Sequence, residues 1–256
     1  MLALSPSQTQ RTRMLNNKQK QRRPQTSPIP DGLEFDARRV QRLKTTAALQ
    51  SQRTSLQVIE IAEHAACLTD ESIQKVVKDY PPSPPLACQE GCAWCCHKLV
   101  GTTVPEVFRI ADYLQKHLTP QEFQTIRDQI IQRDEQRKGL REDRWSAARL
   151  PCSLLVDDRC SVYSVRPLTC RGFNSSDARQ CERWVKKRER VEIPIYEPQH
   201  RLATFILDGL RAGLSESGLP DDLLELTAAL RITLTLPNAF DRWLAGEPIF
   251  APARMR

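Results

Sequence analysis

Eight of the nine cysteines fall into two groups: Cys88, Cys92, Cys95 and Cys96 in one short run, then Cys152, Cys160, Cys170 and Cys181 more widely spaced. The run reads C-x3-C-x2-C-C (CQEGCAWCC), and four soft thiolate donors within nine residues suit zinc or iron-sulfur iron far better than they suit packing. A metal needs several convergent, deprotonated donors, and closely spaced cysteines on a loop supply them at small closure entropy. These eight residues are therefore the candidate metal ligands. Adjacent side chains project in different directions, so Cys95 and Cys96 are expected to serve different ligand sets, or one of them to face elsewhere. The second group, with gaps of seven, nine and ten residues, would return to complete the coordination. One interleaved module over 88–185 is expected, holding either two four-ligand sites or one site plus structural thiols.

Disulfides are the competing reading. The N-terminus lacks the apolar core of a secretory signal and no apolar run reaches the ~18 residues of a membrane span, so a reducing cytoplasmic setting is expected and ligands are preferred over bridges. The ninth cysteine, Cys67, lies in the apolar-periodic stretch IEIAEHAACL and is expected to be a small buried core residue. Arg166 and Arg171 bracket Cys170, where their charge could favour thiolates; a turn at Arg166-Pro167 and a surface Arg171 is the alternative. His97 follows Cys96 directly, but eight cysteines suffice, so a solvated or packing histidine is expected. Trp94 and Tyr163 are expected to cover the centre and exclude water.

Cys88-x3-Cys92-x-Trp94-Cys95 also satisfies the radical S-adenosylmethionine pattern. Its context argues against that chemistry, because such enzymes have repeated strand-helix units after the motif, whereas this chain is helix-rich and the motif follows a polyproline linker. No Gly-rich phosphate or cofactor loop accompanies the cysteines, which weakens an enzymatic reading in general.

The elements that must position these residues are mostly helical. Phe35 to about Cys67 carries apolar residues at helical spacing (Val40, Leu43, Ala47, Leu56, Ile59, Ala62, Ala66), as one long helix or two shorter ones. Thr69-Asp-Glu-Ser offers an N-cap for a further short helix bearing Ile73, Val76 and Val77, and the prolines of PPSPP end it. Thr103-Val-Pro-Glu106 and Thr119-Pro-Gln-Glu122 are capping boxes that predict helices over 104–117 and 120–138, each with one apolar face. Two β-prone runs around Asp157-Asp158-Arg159 predict a small hairpin with Cys152 and Cys160 on its arms. Helices are predicted near 198–214 and 220–236, the second capped by Asp221 or Asp222.

The fold class is thus mainly α with a small β-hairpin, an irregular cysteine-ligated metal module flanked by helices. The expected organisation is a disordered basic tail over 1–32, an N-terminal helical region over 33–80, a proline-rich linker over 81–87, the cysteine module over 88–185, and a C-terminal helical region over 186–256. The net charge of +7 is concentrated in residues 1–30, where Arg11, Arg13, Lys18, Lys20, Arg22 and Arg23 meet no acid. The body is nearly neutral, so it carries no global field for nucleic acid. A solvated tail is the preferred reading; an organelle transit peptide over 1–30, or an arm touching RNA or anionic lipid, is the sharper alternative, and Met14 is a second candidate start.

The cysteine pattern resembles that of the YkgJ-type cysteine-cluster family, described as carrying a zinc- or iron-chelating domain. The matching residues are CQEGCAWCC, the Val-Pro-Glu-Val-Phe-Arg-Ile-Ala helix start, Pro151-Cys152, Cys160-Ser-Val-Tyr163, Arg166-Pro167-x-x-Cys170-Arg171 and Cys181. The resemblance implies chelation of zinc or iron, with an iron-sulfur cluster as one form of it, through these eight cysteines, and some relatives are associated with flagellin lysine methylation. Three function classes follow: a metal-binding protein, an iron-sulfur enzyme related to protein lysine methylation, and an interaction module stabilised by zinc. No partner is implied.

Overall fold

The computed structural model describes residues 32–255 except 90, 139 and 141. The expectations for residues 1–30 therefore lie outside the described residues. Among those described, no helix is long and apolar enough to cross a membrane.

Helix α1 (Leu33–Ser51) and helix α2 (Ser55–Asp79) are separated by a short break, where Thr54 caps α2 by accepting the Gln57 amide at 3.2 Å. Thr69 does not start a new helix. Its hydroxyl donates back to the Ala65 carbonyl at 2.7 Å, which removes it from capping and lets α2 run on to Asp79, just before Pro81 and Pro82.

The apolar spacing of α1 points to the wrong face. Val40 and Leu43 are about half exposed, while Ala37, Gln41, Thr45 and Leu49 are buried. The reason lies on the long helix α8 (Glu197–Glu216), against which α1 packs closely. A Cβ added at Gly209 would fall 2.3 Å from the Arg38 carbonyl oxygen, and one at Gly213 would fall 2.5 Å from the Thr45 Cβ. Two glycines one turn apart let the backbones approach, so the facing side of α1 must be small or self-satisfied. Gln41 meets that need by donating to Thr45 and to the Ile61 carbonyl while its oxygen pairs with His64 Nδ1 at 2.8 Å.

The central helices follow their capping boxes. Helix α3 (Val104–His117) buries Val107, Ile110, Ala111 and Leu114, and helix α4 (Pro120–Lys138) buries Ile126 and Ile130. Each fully buried aliphatic side chain of this kind stabilises the fold by about 1.5–3 kcal/mol. Helix α5 (Glu142–Ala148) follows. The hairpin is real but short: β2 (Leu155–Val156) pairs with β3 (Arg159–Cys160), and Asp157 and Asp158, both at positive φ, form the tight turn between them. Cys160 sits on an arm, whereas Cys152 lies before the pairing begins.

Helices α6 (Leu168–Gly172) and α7 (Ala178–Lys186) carry Cys170 and Cys181. After α8, strand β4 (Leu224–Glu225) pairs antiparallel with β1 (Gly101–Thr102), so the chain leaving the first cysteine run is stitched to the C-terminal part. Helix α9 (Leu226–Thr235) begins later than the expected 220 and takes Glu225, not Asp221 or Asp222, as its cap, with the carboxylate accepting the Thr227 and Ala228 amides. Helix α10 (Ala239–Leu244) places Trp243 against Phe108 and Phe240. The principal apolar cluster draws on α1 to α4, α6, α8, α9 and α10, and Cys152 and Cys160 pack at its edge.

Candidate metal centre

The first cysteine run is irregular backbone held by local turns. Gly91 takes a left-handed φ of 81°, the Cys92 amide donates to the Gln89 carbonyl, and a 3-10 turn over Trp94–His97 carries Cys95 and Cys96. The downstream chain returns to this run at three places. The Cys152 amide donates to the Cys96 carbonyl at 2.7 Å. Helix α7, capped by the Asp177 carboxylate, packs on the 3-10 turn and brings Cys181. The intervening loop sends the Ser175 amide to Cys88 Sγ at 3.3 Å, while the Ala87 amide donates to the Ser175 carbonyl.

That loop is fixed by Asn174. The buried amide accepts from the Tyr196 amide at 2.7 Å and donates to the Gly172 and Tyr196 carbonyls. Cys170 is placed by Glu106, whose two carboxylate oxygens do different jobs. One accepts from Thr102, Thr103 and the Thr103 amide, and the other accepts the Leu168 amide at 2.7 Å at the start of α6. A single buried carboxylate thus joins the cap of α3 to the helix that bears Cys170.

All nine cysteines are free thiols. The thiols lie in two electrostatic neighbourhoods. Burial raises the Cys88 pKa against the opposing Ser175 amide, and the charges of Cys92, Cys95 and Cys181 raise it further. Burial also raises Cys181, which feels Cys92 and Cys95. On the other side, burial pushes Cys152 up to about 12 and Cys170 well above the ordinary thiol range; Cys160 and Cys95 act on both. Cys96 is raised by its hydrogen bond with Cys95 and by burial, with Cys152 and Cys160 adding. Cys95 is lowered, first by the Cys96 hydrogen bond, then by its own amide, Lys98 and Arg166, against burial. Its charge reaches both neighbourhoods.

The donor chemistry fits a thiophilic metal: soft sulfur atoms, amide donors to sulfur, and cations nearby. The side chains are less gathered than the backbones. Among the described residues, no group of three or more histidine, cysteine or acidic side chains is drawn to the spacing of a bound ion.

Other expectations change. Cys67 is exposed on α2, so it is no core residue; the helix turns that position to solvent, while Ala65 and Ala66 face the core. Tyr163 is 66% exposed and lies under the Arg166 guanidinium, so it does not cover the cysteines, whereas Trp94 is half-buried with Lys186 over its ring. Arg171 is a buried structural cation rather than a surface residue, bound to Asp70 and to the Ser164 and Arg166 carbonyls. Arg166 is the arginine whose charge favours the thiolates of Cys95 and Cys160. Glu106, Asn174 and Ser175 were not singled out in the sequence beyond the Glu106 capping box; a buried polar residue that organises a distant loop leaves no local pattern.

No curated protein and no solved structure matches the chain. Over residues 87–192 the chain matches the family model described as CxxCxxCC, a putative zinc- or iron-chelating domain.

Proposed function

We propose that the module over 88–185 is a thiolate metal centre that chelates zinc or iron through Cys88, Cys92, Cys95, Cys96, Cys152, Cys160, Cys170 and Cys181. Two ligand sets share it: Cys88, Cys92, Cys95 and Cys181 in one, Cys96, Cys152, Cys160 and Cys170 in the other. The observation that carries this reading is the return of the second cysteine group onto the first, through the Cys152 amide on the Cys96 carbonyl and the Ser175 bridge to Cys88. Cys96 feels Cys152 and Cys160, and Cys95, whose charge reaches both neighbourhoods, is assigned to the set of Cys88 and Cys181 because adjacent side chains project apart. Ion binding would draw the sulfurs inward by side-chain rotation on a backbone already assembled. With zinc the centre would be a structural clip; with iron and sulfide it would be redox-active.

Single serine substitutions test the assignment by metal analysis of the purified protein. Cys88→Ser and Cys170→Ser should each remove metal from one set, while Cys67→Ser keeps the full content. A folded Cys170→Ser protein with undiminished metal would sink the ligand assignment.

A further inference from the structure

A cavity of about 40 Å³ lies beside the end of the first cysteine run, lined by residues that include His97, Lys98, Arg133, Arg137, Cys152 and Glu225. Arg137 is only 5% exposed, yet its guanidinium is incompletely satisfied. Its Nη2 donates to Asp134 at 2.7 Å and its plane stacks on Trp145, but Nη1 has no partner. Arg133 Nε and His97 Nδ1, on the same walls, are also buried without partners. Three nitrogens on residues that line one small cavity thus have unmet hydrogen-bonding capacity among the described residues. Leaving a buried donor unpaired is costly, and more so for a charged one, so an acceptor is called for.

Among the described residues, the acids close by are already engaged. Asp134 is shared by Arg137, Lys138 and Arg231. Glu225, the one acidic residue among the described cavity walls, accepts the first amides of α9 and lies 3.1 Å from Arg137 Nε. Among the described residues the remaining balance in the cavity is cationic, and burial lowers the Arg133 pKa against the opposing charge of Cys152. A water-sized group needs about 10–15 Å³ on this measure, so the space holds roughly three such groups.

We propose that this cavity is a binding site for a small oxyanion, a carboxylate or a phosphate-type group, held by the Arg133 and Arg137 guanidinium groups and by His97. Guanidinium forks match the paired oxygens of such anions in a way that scattered waters do not. The site depends on the helical frame and on Pro151-Cys152, and not on which metal the cysteines take.

Calorimetric titration of the purified full chain with inorganic phosphate, sulfate and acetate, with metal content measured on the same sample, tests this. Saturable one-to-one binding of at least one anion is expected, and the preference for a tetrahedral anion or for acetate identifies the ligand class. Arg133→Met, whose side chain makes no buried ion pair, should keep its melting temperature and metal content while losing about tenfold or more in affinity. Arg137→Met should abolish binding; should it fail to fold, Arg133→Met decides alone. No heat with any of the three anions at millimolar concentration, or undiminished affinity in Arg133→Met, would overturn the proposal. Because metal is counted separately, failure here is distinguishable from failure of the thiolate centre.

Discussion

Glu106 shows how far one side chain reaches. It closes the capping box of α3, as the Thr-x-x-Glu spacing implies, but its second oxygen also accepts the Leu168 amide, 62 residues on, and so sets the first turn of the helix that holds Cys170. Burial raises its pKa, and the Leu168 and Thr103 hydrogen bonds oppose that rise. Glu106→Ala would leave the Leu168 amide and two threonine hydroxyls without their acceptor. We expect a loss of about 2–4 kcal/mol, read by urea unfolding, from a lost cap plus unpaired buried donors. A surface-like loss of a few tenths would show that this carboxylate does not organise the site. Arg171 belongs with it as a buried organiser: it ties α2 to the loop before Cys170 through Asp70 and Ser164.

At the scale of elements, the contact between α1 and α8 separates what was legible from what was not. The capping boxes, the hairpin turn and the long C-terminal helix were readable because each is encoded locally, by residues within one turn of each other. The buried face of α1 was not, because its partner is a pair of glycines more than 150 residues away, and close backbone approach selects Ala37, Gln41 and Thr45 over Val40 and Leu43. Cys67 was misread for the same reason: periodicity gives a face, and only the partner says which face. Gly209→Ala makes this quantitative. Alanine would gain about 1 kcal/mol of helix propensity, but its Cβ meets the Arg38 carbonyl, and overpacking of that kind costs about 1–3 kcal/mol. Net destabilisation by thermal unfolding is expected; a stabilised variant would mean that the helices are not in close contact.

His64 reports on the same packing through pH. Burial lowers its pKa below the usual 6.5, with Lys44 adding and Glu71 opposing. The unfolded chain therefore binds the proton more readily, so the contribution of His64 is fully present above about 6.5 and is lost as pH falls through the lower folded value. His64→Gln should flatten the fall in stability as pH drops below about 6.5. An unchanged slope there would show that His64 does not titrate differently on folding.

For the whole molecule, the cysteine module is built into the helical frame and does not hang from it. Cys152 and Cys160 pack against the main apolar cluster, β1 leaves the first cysteine run to pair with β4, and Asn174 ties the Ser175 loop to the start of α8. The eight-cysteine pattern is plain in the sequence as two groups, one closely and one more widely spaced. Which of them come near one another is not, since that depends on where α6, α7 and the hairpin return. Gln129 of α4 contributes to that return by donating to the Ser153 and Leu155 carbonyls on either side of the turn after Cys152.

The most direct measurement is X-ray absorption at the zinc and iron edges of the full chain purified without oxygen. A thiolate centre predicts stoichiometric metal whose first shell is sulfur, near 2.3 Å for zinc, with an additional iron-iron scatterer if sulfide-bridged iron is present. A metal bound only through nitrogen and oxygen, or no stoichiometric metal at either edge, would contradict the account.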